Sequence, residues 1–216
     1  MKNYLKAICP PIIWLIFKKF KPKKVFFGVY ERFDQITDEK PWDKSAWIEL
    51  QKNKLRDIRT SMGARERIIP SKSLNGYLSV ICMLVNLLSV RRKCRVLDFC
   101  GGTGFVYYKI KPNLRNRQNI FWHVVDYNKK LLEMGSGFSL KDDRVEFSNQ
   151  LPDQQENKFD IVYVNTSLQY FENYKIIFKN LLLFNPSYLV LTRLLAGNIK
   201  SYTTHQDLWG HELLAE

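Results

Sequence analysis

Two acids and three glycines form the part of this chain best equipped for chemistry. Asp98 ends the apolar run "CRVLD", and after Phe99 and Cys100 the glycines Gly101, Gly102 and Gly104 follow within four positions. Glycine at these places lets the backbone turn sharply and lets a ligand approach with no Cβ in the way, and a helix starting behind the turn offers unpaired N–H groups. Asp126, 28 positions after Asp98, ends a second apolar run, "NIFWHVVD". A carboxylate at such a strand tip can accept both hydroxyls of a ribose. Asp98 can brace the turn or accept a hydrogen bond from a cationic amino group.

The spacing excludes two common phosphate binders. A dinucleotide fingerprint needs G-x-G-x-x-G, and here Gly102-Thr103-Gly104-Phe105-Val106 is followed by Tyr107. No G-x-x-x-x-G-K-[ST] is present either, so no P-loop is expected. An adenosyl sulfonium carries no phosphates, and it suits a turn with an acid on its leading edge.

The flanking segments supply elements to hold these residues. Within "CRVLDFC" the apolar run closed by Asp98 reads as a strand, the glycine turn follows, and "FVYYKIKP" reads as a helix running to Pro112. "NIFWHVVDY" reads as a second strand, and "NKKLLEMGSG" as a short helix stopped by Gly135 and Gly137. "DRVEFSN", "KFDIVYVNTSLQYF" and "SYLVLTRL" give three more strands, with "ENYKIIFKNLLLF" a helix before the last. This alternation predicts an α/β fold, a doubly wound, mostly parallel sheet of the Rossmann-like kind with right-handed crossovers. Ligands bind such sheets outside the carboxyl ends of the strands, at the switch point beside the first strand. Upstream, "DKSAWIELQKNKLRDIRT" reads as a helix capped near Asp43 or Ser45, with Trp47, Leu50, Leu55 and Ile58 to pack inward. Ser71 to Val90 reads as a more apolar helix covering one face of the sheet.

These segments resemble class I S-adenosylmethionine-dependent methyltransferases: "VLDFCGGTG" as the first motif, "HVVD" as the second and "FDIVYVNTSLQY" as the fourth, over roughly Leu74 to Arg193. More narrowly, the chain is similar to a methyltransferase family found among bacterial surface-polysaccharide genes. The shared elements are Pro10-Pro11, "FGVY" (Phe27 to Tyr30), "DFCGG" (Asp98 to Gly102), "SLQY" (Ser167 to Tyr170) and Thr192-Arg193. The resemblance implies that Asp98, Cys100, Gly101, Gly102 and Gly104 contact the methionine end of S-adenosyl-L-methionine. Asp126, with Tyr127 beside it, would hold the ribose, and Ser148 or Asn149 would border the adenine. Asn165 to Leu168 would form the wall facing the substrate, with Asn165 and Ser167 also touching the cofactor. Cys100 departs from the usual glycine. A class I domain also adds a sixth and seventh strand, whereas about 23 residues follow Arg193, so those strands are expected to be missing.

Methyl transfer from a sulfonium is an in-line displacement in which the protein mainly holds nucleophile and methyl carbon together. A sugar hydroxyl would need a base as well. No residue declares itself as that base: His123 reads as packed within its strand, and His205 is a better candidate than His211. Gln169, Tyr170 and Arg193 stand where an acceptor could touch, Arg193 for an anionic one. No metal site is expected, since Cys9, Cys82, Cys94 and Cys100 form no C-x-x-C pair. They read as reduced thiols, which favours a cytosolic compartment.

Charge separates the ends of the chain. Of the net +13, residues 1–24 carry seven lysines and no acid, while residues 94–216 are nearly balanced. A pI of 9.6 therefore reflects a local feature and not a nucleic-acid surface. The apolar stretch Ala7 to Phe17 is too short to span a bilayer, and lysines follow it where a signal peptide would be cleaved. Its aromatics and lysines suit a segment lying in the interface of an anionic leaflet. The organisation read from the sequence is thus a membrane-interface segment at 1–24, a cap or lid region at 25–70 and a methyltransferase-like domain at 71–216. The expected function is O-methylation of a sugar or glycan-related acceptor at the cytoplasmic face of the membrane, with no nucleic-acid partner. The alternative is a catalytically impaired, membrane-associated scaffold or binding protein of the same fold.

Overall fold

The computed structural model describes residues 26–36, 45–63, 74, 76–139, 142–194, 197–198 and 201–206. The basic segment 1–24 lies outside these residues, as does the tail beyond 206 that contains His211. The chain divides into two compact units.

The smaller unit joins the two ends of the described chain. Strand β1 (Phe26–Tyr30) carries the "FGVY" element and pairs antiparallel with β7 (Thr203–Gln206), Phe26 opposite Gln206 and Tyr30 opposite Thr203. The register slips between Phe27 and Tyr30, and Thr204 Oγ1 donates to the Gly28 carbonyl at 2.9 Å across the slip.

The larger unit is a parallel five-stranded sheet. In chain order its elements are α1 (Ser45–Gly63), α2 (Gly76–Leu88), β2 (Cys94–Phe99), α3 (Phe105–Ile110), β3 (Ile120–Val125), α4 (Lys129–Phe138), β4 (Val145–Ser148), β5 (Ile161–Asn165), α5 (Tyr174–Leu182) and β6 (Tyr188–Thr192). The strands are ordered β4-β3-β2-β5-β6, so the order reverses beside β2, the central strand. This is the doubly wound sheet that the alternation of short apolar runs and helices predicts. Among the described residues no strand pairs with the outer edge of β6, and β7 pairs with β1 instead.

Burial on both faces explains why β2 and β5 read as unbroken apolar runs. On one face Val96, Trp122, Val124, Ile161 and Tyr163 pack under α2, α3 and α4, and Leu55 and Ile58 of α1 join the same core. On the other, Leu97, Phe99, Val125, Val162 and Val164 pack under Ile177 and Leu181 of α5. Two details depart from the sequence reading. Strand β2 runs one residue past Asp98, to Phe99. Helix α4 continues through Gly135 and Gly137 to Phe138 instead of stopping at them. Asn128 caps its start, its Oδ1 accepting the N–H groups of Lys130 and Leu131 at 3.1 and 3.3 Å. Gly135 is there for closeness: a Cβ would press into the Phe147 ring and lie 2.8 Å from the Thr103 carbonyl. Gly137 has nothing within 4 Å of where its Cβ would be.

The two glycines should therefore respond oppositely to alanine. Gly135→Ala is expected to lose about 1–3 kcal/mol through overpacking, whereas Gly137→Ala should gain about 0.5–1 kcal/mol from helix propensity. Urea unfolding of both variants checks this, and equal shifts would show that the Gly135–Phe147 approach is not a constraint.

Candidate functional site

The acids and glycines meet at the carboxyl edge of the sheet. Asp98 is 1% exposed on β2, pointing to the face that carries Val96 and Tyr163. Strand alternation places Trp122 of β3 on the same face, and its indole Nε1–H donates to Asp98 Oδ2 at 3.0 Å. Gly101 lies directly over this carboxyl, since a Cβ there would sit 2.6 Å from Asp98 Cγ and 2.7 Å from Oδ2. Glycine at 101 is thus required by the acid beneath it as much as by the turn. Burial pushes the Asp98 carboxyl up to about 7, the Trp122 hydrogen bond opposing and the negative Asp126 adding to the rise.

Asp126 follows β3 and ties its exit to the glycine turn. Its Oδ2 accepts the Gly102 N–H at 2.9 Å and its Oδ1 accepts the Asn128 N–H at 2.8 Å, while its own N–H donates to the Ser148 carbonyl at 3.1 Å. Burial raises its carboxyl above the ordinary range, and the N–H groups of Asn128, Gly102 and Tyr127 work against that rise. Gly102 and Gly104 adopt left-handed φ of 58° and 70°, and Gly104 opens α3. The structure thus brings Asp98, Gly101, Gly102, Gly104 and Asp126 together.

Strand exits along this edge are strained. The residue following each of the adjacent strands β2, β5 and β6 is left-handed without being glycine: Cys100 (φ 55°), Thr166 (φ 56°) and Arg193 (φ 56°). Such conformations cost on the order of 1–3 kcal/mol each and cluster where function fixes the backbone. Burial pushes the Cys100 thiol up, with Asp126 adding to the rise and Ser167 opposing it.

Two surfaces flank the turn. On one side Phe99, Tyr127 and Phe171 meet edge to face or tilted, with centroids 5.9–6.1 Å apart, and Tyr127 stays half exposed. On the other, Thr192 Oγ1 donates to Asn165 Oδ1 at 3.0 Å and shares a 3.3 Å hydrogen bond with the Tyr163 hydroxyl. Thr166 Oγ1 donates to the same Asn165 oxygen at 3.1 Å. Gln169 and Tyr170 follow in the 3-10 turn Leu168–Tyr170, where Gln169 Oε1 is buried with no hydrogen-bond partner among the described residues. Thr103 Oγ1, within the glycine turn, is likewise buried and unpartnered. Arg193 is exposed, its guanidinium 5.8 Å over the Tyr77 ring.

The remaining candidates separate. Asn149 is exposed at the bend after β4, while the neighbouring Ser148 hydroxyl is engaged, donating to the Gln150 carbonyl at 2.7 Å and lying 2.8 Å from His123 Nε2. His123 also lies 3.4 Å from Glu146 through Nδ1, and burial lowers its pKa against the pull of Glu146. His205 sits in β7 opposite Phe27, in the smaller unit. Three partners escaped the sequence reading: Trp122, Phe171 and Thr192 as a ligand of Asn165. Strand periodicity carries a signal for the first, because 122, 124 and 98 share a face once β2 and β3 are paired in register.

No family model matches this chain, and no curated protein does. Similar solved structures include the YcgJ protein of Bacillus subtilis, 23% identical over 44% of this chain and 40% of that one, with a TM-score of 0.33. A protein-L-isoaspartate O-methyltransferase is 19% identical over 40% of this chain and 28% of its own, with a TM-score of 0.32. A Methanococcus maripaludis protein, proposed to be an S-adenosyl-L-methionine-dependent methyltransferase, is 13% identical over 69% of this chain and 62% of its own, with a TM-score of 0.41. The chain spans less than two thirds of the length of each.

Asp98 also makes the fold sensitive to pH. Its folded pKa of about 7 exceeds the ordinary 3.8, so the folded protein keeps a proton that the unfolded chain releases. The stability this contributes is present below about pH 4 and is lost as pH rises toward 7, on the order of 4 kcal/mol in all. Asp98→Asn keeps an acceptor for Trp122 and removes the titration. Relative to wild type it should gain stability progressively from pH 4 to pH 8 in denaturant melts, and a constant difference would refute the assignment.

Proposed function

We propose that the larger unit is an S-adenosyl-L-methionine-dependent methyltransferase domain whose cofactor lies at the tips of β2 and β3. The observation that supports it most is the pair of acids at those tips. The Gly102 N–H, which a phosphate would need, is given to Asp126, and the buried Asp98 beneath Gly101 repels an anion but suits a cation. A diphosphate nucleotide fits such a turn poorly; a positively charged nucleoside without phosphate fits it well. Asp98, with the turn Cys100 to Gly104, would hold the methionine end. Asp126 keeps lone pairs beyond its backbone hydrogen bonds and would accept from the ribose hydroxyls. The half-exposed Tyr127 would offer its ring to the adenine, with Asn149 at its border, and Asn165 and Ser167 would close the cofactor's far side.

When bound, the sulfonium supplies an electrophilic methyl carbon. The chain's part is to position an acceptor, and the exits of β5 and β6 are equipped for one rich in hydroxyls: Asn165, Thr166, Gln169 and Thr192 are neutral hydrogen-bonding side chains. That equipment favours a sugar or glycan-related acceptor, with Tyr170 and the exposed Arg193 beside it, Arg193 for an anionic group. The seven lysines and the aromatics of residues 1–24 favour work at the cytoplasmic membrane face. Among the described residues no helix is long and apolar enough to cross a membrane.

Calorimetry with S-adenosylhomocysteine tests the cofactor site. Wild type should bind, and Asp126→Ala should weaken binding at least about tenfold, since it removes both a ligand contact and the brace on Gly102. Equal heats from the two proteins, or a preference for a dinucleotide, would reject the site.

A further inference from the structure

We propose that Trp122 is the positioning residue of this site: its indole N–H holds the Asp98 carboxyl beneath Gly101, so that a ligand's cationic group held on the turn above it favours the ionised carboxyl and releases one proton to solvent. The proposal rests on the cationic-nucleoside reading given above and adds to it a residue and a linkage.

The geometry sets the terms. Trp122 is 1% exposed, with one polar atom, and that atom is spent on Asp98 Oδ2 at 3.0 Å. A phenylalanine would fill much of the same space without needing a partner, so the indole N–H is the feature to explain. Gly101 permits no Cβ over the carboxyl, which fixes the acid against the turn that a ligand must approach. The groups facing Asp98 offer it no compensating charge. From β3 come Trp122 and, past its end, the negative Asp126; from β5 comes Tyr163, opposite Asp98 in register; from its own loop comes the protonated Cys100. The hydroxyl of Tyr163 is bonded to Thr192, and Arg193 stacks over Tyr77. What balances Asp98 is then either a proton or a cation brought by the ligand. When the cation arrives the carboxyl O–H bond breaks, the oxygen keeps the electron pair, and the proton leaves to buffer. The Trp122 hydrogen bond favours the ionised form, so it makes that exchange available near neutral pH.

The test titrates the full chain with two probes, S-adenosylhomocysteine, which carries an ammonium, and 5′-methylthioadenosine, which shares the nucleoside and carries none. Calorimetry is run from about pH 6 to about pH 8.5 in buffers of different ionisation enthalpy. For wild type, S-adenosylhomocysteine affinity should climb roughly tenfold per pH unit below the midpoint, with close to one proton released, and methylthioadenosine affinity should stay flat. Trp122→Phe should move the midpoint upward and weaken S-adenosylhomocysteine about tenfold at the acid end, leaving methylthioadenosine within about twofold. Asp98→Asn should abolish the pH dependence. Independently of any variant, the wild-type Trp122 indole N–H resonance should titrate with a midpoint of about 7 and stop titrating when S-adenosylhomocysteine is bound. Equal losses for both probes in Trp122→Phe, or binding without proton release, would overturn the proposal and leave the cofactor site standing. Failure of wild type to bind either probe at any pH would instead overturn the cofactor reading, and the proposal with it.

Discussion

A carboxylate sealed from water is the constraint around which this site is built. Moving an ion out of solvent costs several kcal/mol even after the protein relaxes, and a partner of opposite charge is the usual remedy. Asp98 has none among the charges that act on it; Asp126 makes matters worse. It receives instead a hydrogen bond from a neutral indole and the close cover of Gly101. This keeps the group polar, oriented and poised between two protonation states. A lysine or arginine in place of Trp122 would settle the charge for good and leave nothing for a ligand to do.

The rest of the carboxyl edge is arranged so that this group stays put. Asp126 joins the exit of β3 to the glycine turn through Gly102 and to the start of α4 through Asn128. One side chain therefore fixes two loops that would otherwise move independently. Parallel strands in register bring the exits of β2, β5 and β6 side by side, and each leaves its strand through a left-handed residue. Strain of this kind survives only where the surrounding packing over-determines it. The fully buried faces of β2 and β5 supply that packing. An aromatic flank and a hydroxyl-and-amide flank are thereby held on opposite sides of a single turn.

Much of this was legible in the residues because burial on both faces writes a strand as an apolar run. The runs ending near Asp98, Asp126 and Asn165 mark the strands, and acids at the ends of two of them mark the candidate site. What stayed hidden depended on pairing or on packing. "IFWHVV" shows that β3 is buried, but only its register against β2 shows that Trp122 reaches Asp98. Gly135 reads as a helix stop, whereas it sits inside α4 because the Phe147 ring leaves no room for a Cβ. The left-handed Cys100, Thr166 and Arg193 carry no glycine to announce them. The pairing of β1 with β7 joins short strands about 175 residues apart, and neither strand carries a local signal for so distant a partner.

In the reading proposed above, Asp98 also links the folding of the domain to what it binds. A carboxyl whose ionisation is opposed by burial lowers the stability of the fold near neutral pH, since the unfolded chain loses its proton freely. A ligand cation beside the same carboxyl removes that opposition, and whatever binds the folded state alone stabilises it by mass action. The free energy withheld from the fold by this one group would then be returned on binding. An anion at the same place would meet two carboxyl groups and raise the cost further. In the cationic-nucleoside reading proposed above, preference for a cation over a diphosphate follows from the way the protein leaves Asp98 without a partner of its own, burial raising the pH at which it takes effect and the indole of Trp122 lowering it.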